Sequence, residues 1–428
     1  MQNVGVSATT VVFFLLPLVL SAQWLETTIT VGLYPHVLIY NSTDNKIYCS
    51  NWGSDYVTVI NGATNTVLTT IAVGPYPDAL VYNLTSDKVY CTNYNSEDIT
   101  VIDGPSDTVI TTITAGHDPY SLVHNMINNK VYSVNLPYSD DVTVIDGASD
   151  TVITTVTVGN NPNALVYNPT DNKVYCANRL DDNVTVIDGA ANSVITTIPV
   201  GDGPQVLVYN PNNNKIYCSN EWSGNVTVID GAINTIITTI AVGVTPFDLV
   251  YNSVNNKIYC SNLDSDDVTV IDGAGDTVIT TIAVGEGPSA LVYNSINNKI
   301  YCANEFVGNV MVIDGASDTV IMTITVGNSP CAFTWNPLQN RTYVANGGSA
   351  SVSVIRDSLI GIEEGEMETV SRINLVPTIF RGPLQLPDGK KCKVFDITGR
   401  IVEPDKTQPG IYFIEIDGVV TQKVVKVR

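Results

Sequence analysis

The chain repeats itself eight times, and this period limits its possible folds more than any other feature. Gly32, Gly74, Gly116, Gly159, Gly201, Gly243, Gly285 and Gly327 recur at steps of 42 residues, with a single step of 43. Lys46, Lys88, Lys130, Lys173, Lys215, Lys257, Lys299 and Arg341 keep the same spacing. A fixed period of this size means one small unit used repeatedly, each copy burying its apolar face only against its neighbours. Within a unit, four short β-patterned runs follow one another, as at Pro77 to Tyr82, Lys88 to Asn93, Ile99 to Asp103 and Thr108 to Thr114. Asn, Ser, Asp, Lys or Asp-Gly turn signals separate them, and no stretch of the repeat carries a helical period. Four strands in about 40–45 residues is the spacing of a β-propeller blade, although the Trp-Asp signature of WD40 blades is absent. The expected fold is therefore all-β, an eight-bladed propeller of four-stranded blades.

Composition orders the strands. The run after each repeated Pro, such as Ala79-Leu80-Val81-Tyr82, is the most apolar and is expected innermost, as strand A, buried on both sides. The Thr-rich run, Val109-Ile110-Thr111-Thr112-Ile113, meets water as strand D. In this frame the chain begins with a lone D-like strand, Leu25 to Val31, and its eighth unit stops at strand C, Ser351 to Arg356. The N-terminal strand can complete the last blade and so leave no orphan edge. Seven blades would leave one four-stranded unit without a place.

These repeats resemble the YVTN β-propeller family. Its naming motif reads here as Tyr48-Cys49-Ser50-Asn51, Tyr90-Cys91-Thr92-Asn93 and, closest, Tyr343-Val344-Ala345-Asn346, followed by Val-Thr-Val-Ile-Asp-Gly strands. The resemblance spans Trp24 to Asp357. It implies a propeller in an exported or cell-surface protein and does not choose an activity.

The ends read differently. Val11 to Leu20 is an apolar run ending in Leu20-Ser21-Ala22 before Gln23, the pattern of a signal peptide over residues 1–22, too short to span a bilayer as a helix. An exported chain can form disulfides, yet Cys49, Cys91, Cys176, Cys218, Cys260 and Cys302 all occupy one repeated slot and are expected as small buried hydrophobes. With the propeller at 23–357, residues 358–372 read as a polar linker, and 373–428 as a small β-sandwich. The last segment resembles the type IX (Por) secretion C-terminal sorting domain. Asp396, Gly399 and Arg400, with Gly410 and Tyr412, carry that likeness, which implies contact with secretion machinery and release at the outer cell surface or beyond.

Function is expected where the units differ, because a ligand breaks a symmetry that folding alone would keep. The A-to-B and C-to-D turns are nearly uniform. The D-to-A and B-to-C loops, which share the other face of the disc, differ from blade to blade, as in Asn51-Trp52-Gly53-Ser54-Asp55-Tyr56 and Asn220-Glu221-Trp222-Ser223-Gly224. The net charge of −22 concentrates there: the variable face holds seventeen acidic residues against Arg179 alone. That field opposes phosphate backbones, so no nucleic-acid partner is expected.

Tyr34, Tyr56, Tyr76, Tyr94, Tyr120 and Tyr138 fall on this face beside Trp52, and Trp222, Phe247 and Phe306 extend it on the opposite arc. Aromatic rings with polar tips suit sugar stacking or peptide anchoring. The first functional reading is therefore a non-enzymatic module binding a glycan, a peptide or a cationic protein partner. The alternative is an enzyme of the lactonase or streptogramin-lyase type, with a metal or His-assisted site near the axis, for which only His36, His117 and His124 are available. No cofactor is required by any motif. Calcium at Asp264, Asp266 and Asp267 is the weaker metal reading, since no loop has EF-hand spacing.

Overall fold

The computed structural model describes residues 23–136, 139–357, 378–380, 392–396, 402–404, 410–416 and 419–426. The signal-peptide segment, Tyr138 and the 358–372 stretch lie outside them. Two compact units divide the chain, residues 1–361 and 362–428.

The first unit is an eight-bladed β-propeller. Blade 1 consists of Pro35–Asn41, Lys46–Asn51, Tyr56–Asn61 and Val67–Ala72, an antiparallel meander in spatial order, and blades 2 to 7 repeat it. Blade 8 supplies Pro330–Asn336, Arg341–Asn346 and Ser351–Asp357, and its outer strand is Gln23–Thr30, antiparallel to Ser351–Asp357. The N-terminal strand thus closes the ring as expected. The A strands of neighbouring blades pack together around the axis, confirming them as innermost.

Burial departs from the sequence reading in one respect. Strands B and C, such as Lys46–Asn51 and Tyr56–Asn61, are the most deeply buried, while strand A is only partly so. The reason is geometric: B and C are sandwiched between adjacent blades, whereas A also lines the axial channel.

The repeated residues are the joints between blades. The Asn ending each A strand donates to the left-handed Asn or Asp before the turn Lys or Arg of the next blade. This runs from Asn41 Nδ2 to Asp87 Oδ1 (3.1 Å) and Asn83 to Asn129 (2.8 Å) round to Asn336 and Asn45 (2.8 Å). The Lys of one blade reaches the C-to-D turn of the next: Lys215 Nζ lies 2.6 Å from Asp276 Oδ2, and the fully buried Tyr217 donates its OH to Asp276 Oδ1 at 2.7 Å. At the closure, Arg341 reaches the Gly62 and Ala63 carbonyls of blade 1 and grips Glu26 through two bonds of 2.6 Å. The eight glycines that set the period have a steric reason. A Cβ on Gly32, Gly159 or Gly327 would stand 2.6–2.8 Å from the buried Asn51, Asn178 or Asn346. Gly32 N in turn donates to Asn51 Oδ1 at 3.0 Å.

The described strands of the second unit form one four-stranded sheet, in the order Thr378–Phe380, Val419–Lys426, Gly410–Ile416 and Cys392–Asp396. Its first pair is parallel and the rest antiparallel. Asp396 and Tyr412 are register partners; Gly399 and Arg400 lie outside the described residues.

Candidate functional site

The D-to-A and B-to-C loops are locked together in every blade. The residue before each strand-A Pro takes a left-handed φ, and its carbonyl accepts the N–H of the first B-to-C loop residue: Trp52 N to Tyr34 O (2.9 Å), Tyr94 N to Tyr76 O (3.1 Å), Glu305 N to Gly287 O (2.9 Å). In four blades this residue is Gly, Asn or Asp, the types that tolerate the conformation. In blades 1, 2, 6 and 8 it is Tyr34 (φ 50°), Tyr76 (φ 53°), Thr245 (φ 57°) and Ser329 (φ 50°). Bulky or β-branched residues at positive φ are uncommon and are concentrated at functional sites.

Blades 1, 2, 3, 6, 7 and 8 surround a cavity of about 690 Å³ at the mouth of the axial channel. Tyr34, Trp52, Tyr94, Tyr120 and Phe247 line it, together with His36, Asp78, Ser289, Glu305 and Cys331. The volume falls within the range of small-ligand sites, roughly 300–1,000 Å³. Trp52 is the centre of an aromatic group, with Tyr76 at 4.5 Å and Tyr34 edge-on at 6.3 Å.

Five of the ten aromatic candidates therefore line one cavity, and Tyr76 buttresses it through Trp52. The others go elsewhere. Tyr56 starts strand C of blade 1, half-buried, and Tyr138 lies outside the described residues. Trp222 and Phe306 cover the backbone of their own loops, so close that a Cβ on Gly203 or Gly287 would stand 2.6 Å from their rings. Trp222 also carries the Arg179 guanidinium, 5.1 Å from its centroid, while Arg179 pairs with Glu221.

The sequence reading named His36, Tyr120 and Phe247 but not the repeat position they share, just after the strand-A Pro. It holds His36, Asp78, Tyr120, Asn163, Gln205, Phe247, Ser289 and Cys331, a different residue in every blade, and that divergence was the available signal. Side chains here reach round the ring to the next blade. His36 Nδ1 is 2.6 Å from Asp78 Oδ1, Asn163 Nδ2 donates to Gln205 Oε1 at 3.0 Å, and Ser289 Oγ donates to Pro330 O at 3.2 Å. Burial works to lower the His36 pKa, but hydrogen bonding to Asp78, helped by the charges of Asp78 and Glu305, raises it above the ordinary histidine value. Burial, reinforced by Asp78, pushes the Tyr120 hydroxyl up to about 12. Burial likewise holds the Cys331 thiol up at about 11.

Most acids of this face serve the loops. Asp55, Asp140, Asp182 and Asp266 accept the backbone N–H of Tyr76, Asn161, Gly203 and Gly287 in the following blades. Asp264 accepts the Thr245 hydroxyl (2.6 Å) and Asp267 accepts from Asn262 (2.6 Å), so the three calcium candidates face three separate partners. Among the described residues no group of three or more His, Cys, Asp or Glu side chains is placed to hold a metal ion. His117 sits 3.2 Å from Glu97, both exposed, and His124 lies at the far end of its A strand, where burial lowers its pKa.

Fold and loops together define an eight-bladed β-propeller with a ligand-sized cavity at one mouth of its channel. A family model described as a YNCE-like beta-propeller matches residues 125–304. No curated protein matches the chain. Among solved structures, hydrazine synthase from Kuenenia stuttgartiensis is similar, with a TM-score of 0.56 and 17% identity over 77% of this chain and 98% of that one. At that identity the likeness concerns the fold alone.

Proposed function

We propose that this chain is an exported binding module that takes its ligand at the channel mouth, on the face formed by the D-to-A and B-to-C loops. The observation that carries the reading is the single cavity into which three blades send tyrosines, a fourth a phenylalanine and blade 1 also Trp52. Such rings offer large apolar contact at small entropic cost. Two tyrosines held at positive φ beside it support the same reading. Export rests on the Val11 to Ala22 segment and on the likeness of the C-terminal segment to a type IX sorting domain, which would direct the protein to the cell surface or the medium. The test is a glycan and peptide array probed with the full chain. Binding should be lost in Trp52→Ala and Tyr94→Ala while melting is unchanged; no binding, or binding indifferent to both substitutions, overturns the site. Mass spectrometry of the secreted form should find Gln23 as its first residue.

One observation favours an enzyme instead. Asp78 fixes the His36 ring by its Nδ1, leaving Nε2 as a base toward the cavity. Cys331, held as a thiol at neutral pH, is a poor nucleophile beside it. Turnover on a lactone panel, abolished by His36→Ala, would establish this reading.

A further inference from the structure

We propose that the channel-mouth cavity selects an organic cation: an ammonium or guanidinium group on an apolar stem. This rests on the reading of the cavity as a binding site and names the chemistry of its ligand. The lining contains no Lys, Arg, Asn or Gln. Its hydrogen-bond donors are hydroxyls, the Trp52 indole and the His36 ring, whereas its fixed charges are the carboxylates of Asp78 and Glu305. An anion would find only cations that already have partners: a protonated His36 paired with Asp78, and Arg179, whose charge reaches Tyr120 but which is paired with Glu221. A neutral sugar would stack on the same rings but gain nothing from the negative charge. A cation would find aromatic faces, of which indole is the best, together with negative charge.

Both carboxylates line the same cavity. Both fields act on His36, Glu305 also acts on Cys331, and Asp78 acts on Tyr94 and Tyr120. Glu305 itself is only half-exposed. The same face already contains one complete example of this recognition, in which the Arg179 guanidinium lies over Trp222 and pairs with Glu221. The cavity presents an indole and carboxylates in the same combination, and no Lys or Arg is among its lining residues.

The cation could be free, as in a quaternary ammonium compound, or the side chain of a basic peptide. Calorimetry on the full chain separates these, using choline and N-acetylarginine methylamide, each beside its uncharged isostere, 3,3-dimethylbutanol and N-acetylcitrulline methylamide. At least one cation should bind ten times more tightly than its isostere. Glu305→Gln should weaken it about tenfold, and Trp52→Ala should remove measurable binding, with melting temperatures of both variants near wild type since both side chains are partly exposed. Stronger choline binding assigns a free ammonium and stronger arginine binding a peptide; either upholds the proposal. Equal binding of the isosteres, absence of binding by both cations, or indifference to Glu305→Gln overturns it. If cations fail while an array ligand still binds in a Trp52-dependent way, the cation inference falls and the binding module stands. If the array also fails, both fall.

Discussion

His36 and Asp78 come from equivalent positions of adjacent blades, and their side chains meet at 2.6 Å at the channel mouth. Each lies one residue after a strand-A proline, so neighbouring copies of one repeat position have become a hydrogen-bonded pair. The Asp78 side chain is nearly buried, whereas that of His36 is about half-exposed at 45%.

The pair sets the order of histidine titrations. With only three histidines, proton NMR can follow each. His36 should titrate above the ordinary value of about 6.5 and His124 below it. In Asp78→Asn the carboxylate that raises it is gone, and His36 should fall below its wild-type value. Because the folded-state pKa is raised, the pair's contribution to stability is complete below about pH 6.5 and is lost as pH rises through the His36 value. An unshifted His36 resonance in Asp78→Asn would contradict the assignment.

Asp248 supplies a second pH dependence. Its carboxylate bridges blades 6 and 7, accepting from Leu249 N (2.8 Å) and Leu291 N (2.7 Å), and burial outweighs those bonds to raise its pKa to about 6. The folded protein keeps a proton that the unfolded chain releases near pH 4. Stability should therefore decline between about pH 4 and 6, by on the order of 3 kcal/mol. Urea midpoints across that range should show the slope, and Asp248→Asn should flatten it.

The tyrosines of the blade joints should matter through their hydroxyls. Tyr217→Phe removes a 2.7 Å bond to Asp276 and keeps the ring, so a loss of about 1–2 kcal/mol is expected in chemical denaturation. A change near zero would mean that Lys215 alone satisfies Asp276.

Ring closure depends on Glu26. Arg341 and Asn336 hold blade 8 to blade 1, but only Glu26 neutralises the nearly buried Arg341, and that ion pair keeps the Glu26 pKa below the ordinary range despite opposing burial. Glu26→Ala should cost about 3 kcal/mol by leaving the guanidinium unpaired. Removing residues 23–30 would expose the edge of Ser351–Asp357, and the measurable consequence is concentration-dependent aggregation in light scattering.

A methyl group at a period-setting glycine should also be costly. In Gly159→Ala the new Cβ would stand 2.8 Å from the buried Asn178, and about 1–3 kcal/mol of stability should be lost. The exposed Gly275, whose nearest neighbours stand at 3.0 Å or more, should tolerate the same change far better.

The sequence by itself determined the architecture. The period counts the blades, the alternation marks the strands, and Gln23–Thr30 against the truncated last unit dictates the closure, because each is a local property repeated eight times. It also named the aromatic candidates on the variable face. Only the tertiary structure sorted them, since curvature of the ring carries Tyr120 and Phe247, 127 positions apart in the chain, to one cavity while Trp222 and Phe306 fold back over glycines. The acids of this face were sorted in the same way. Asp55 and Asp266, in B-to-C loops, cap loop amides, whereas Asp78, one residue after a strand-A proline, faces the cavity and pairs with His36 of the preceding blade.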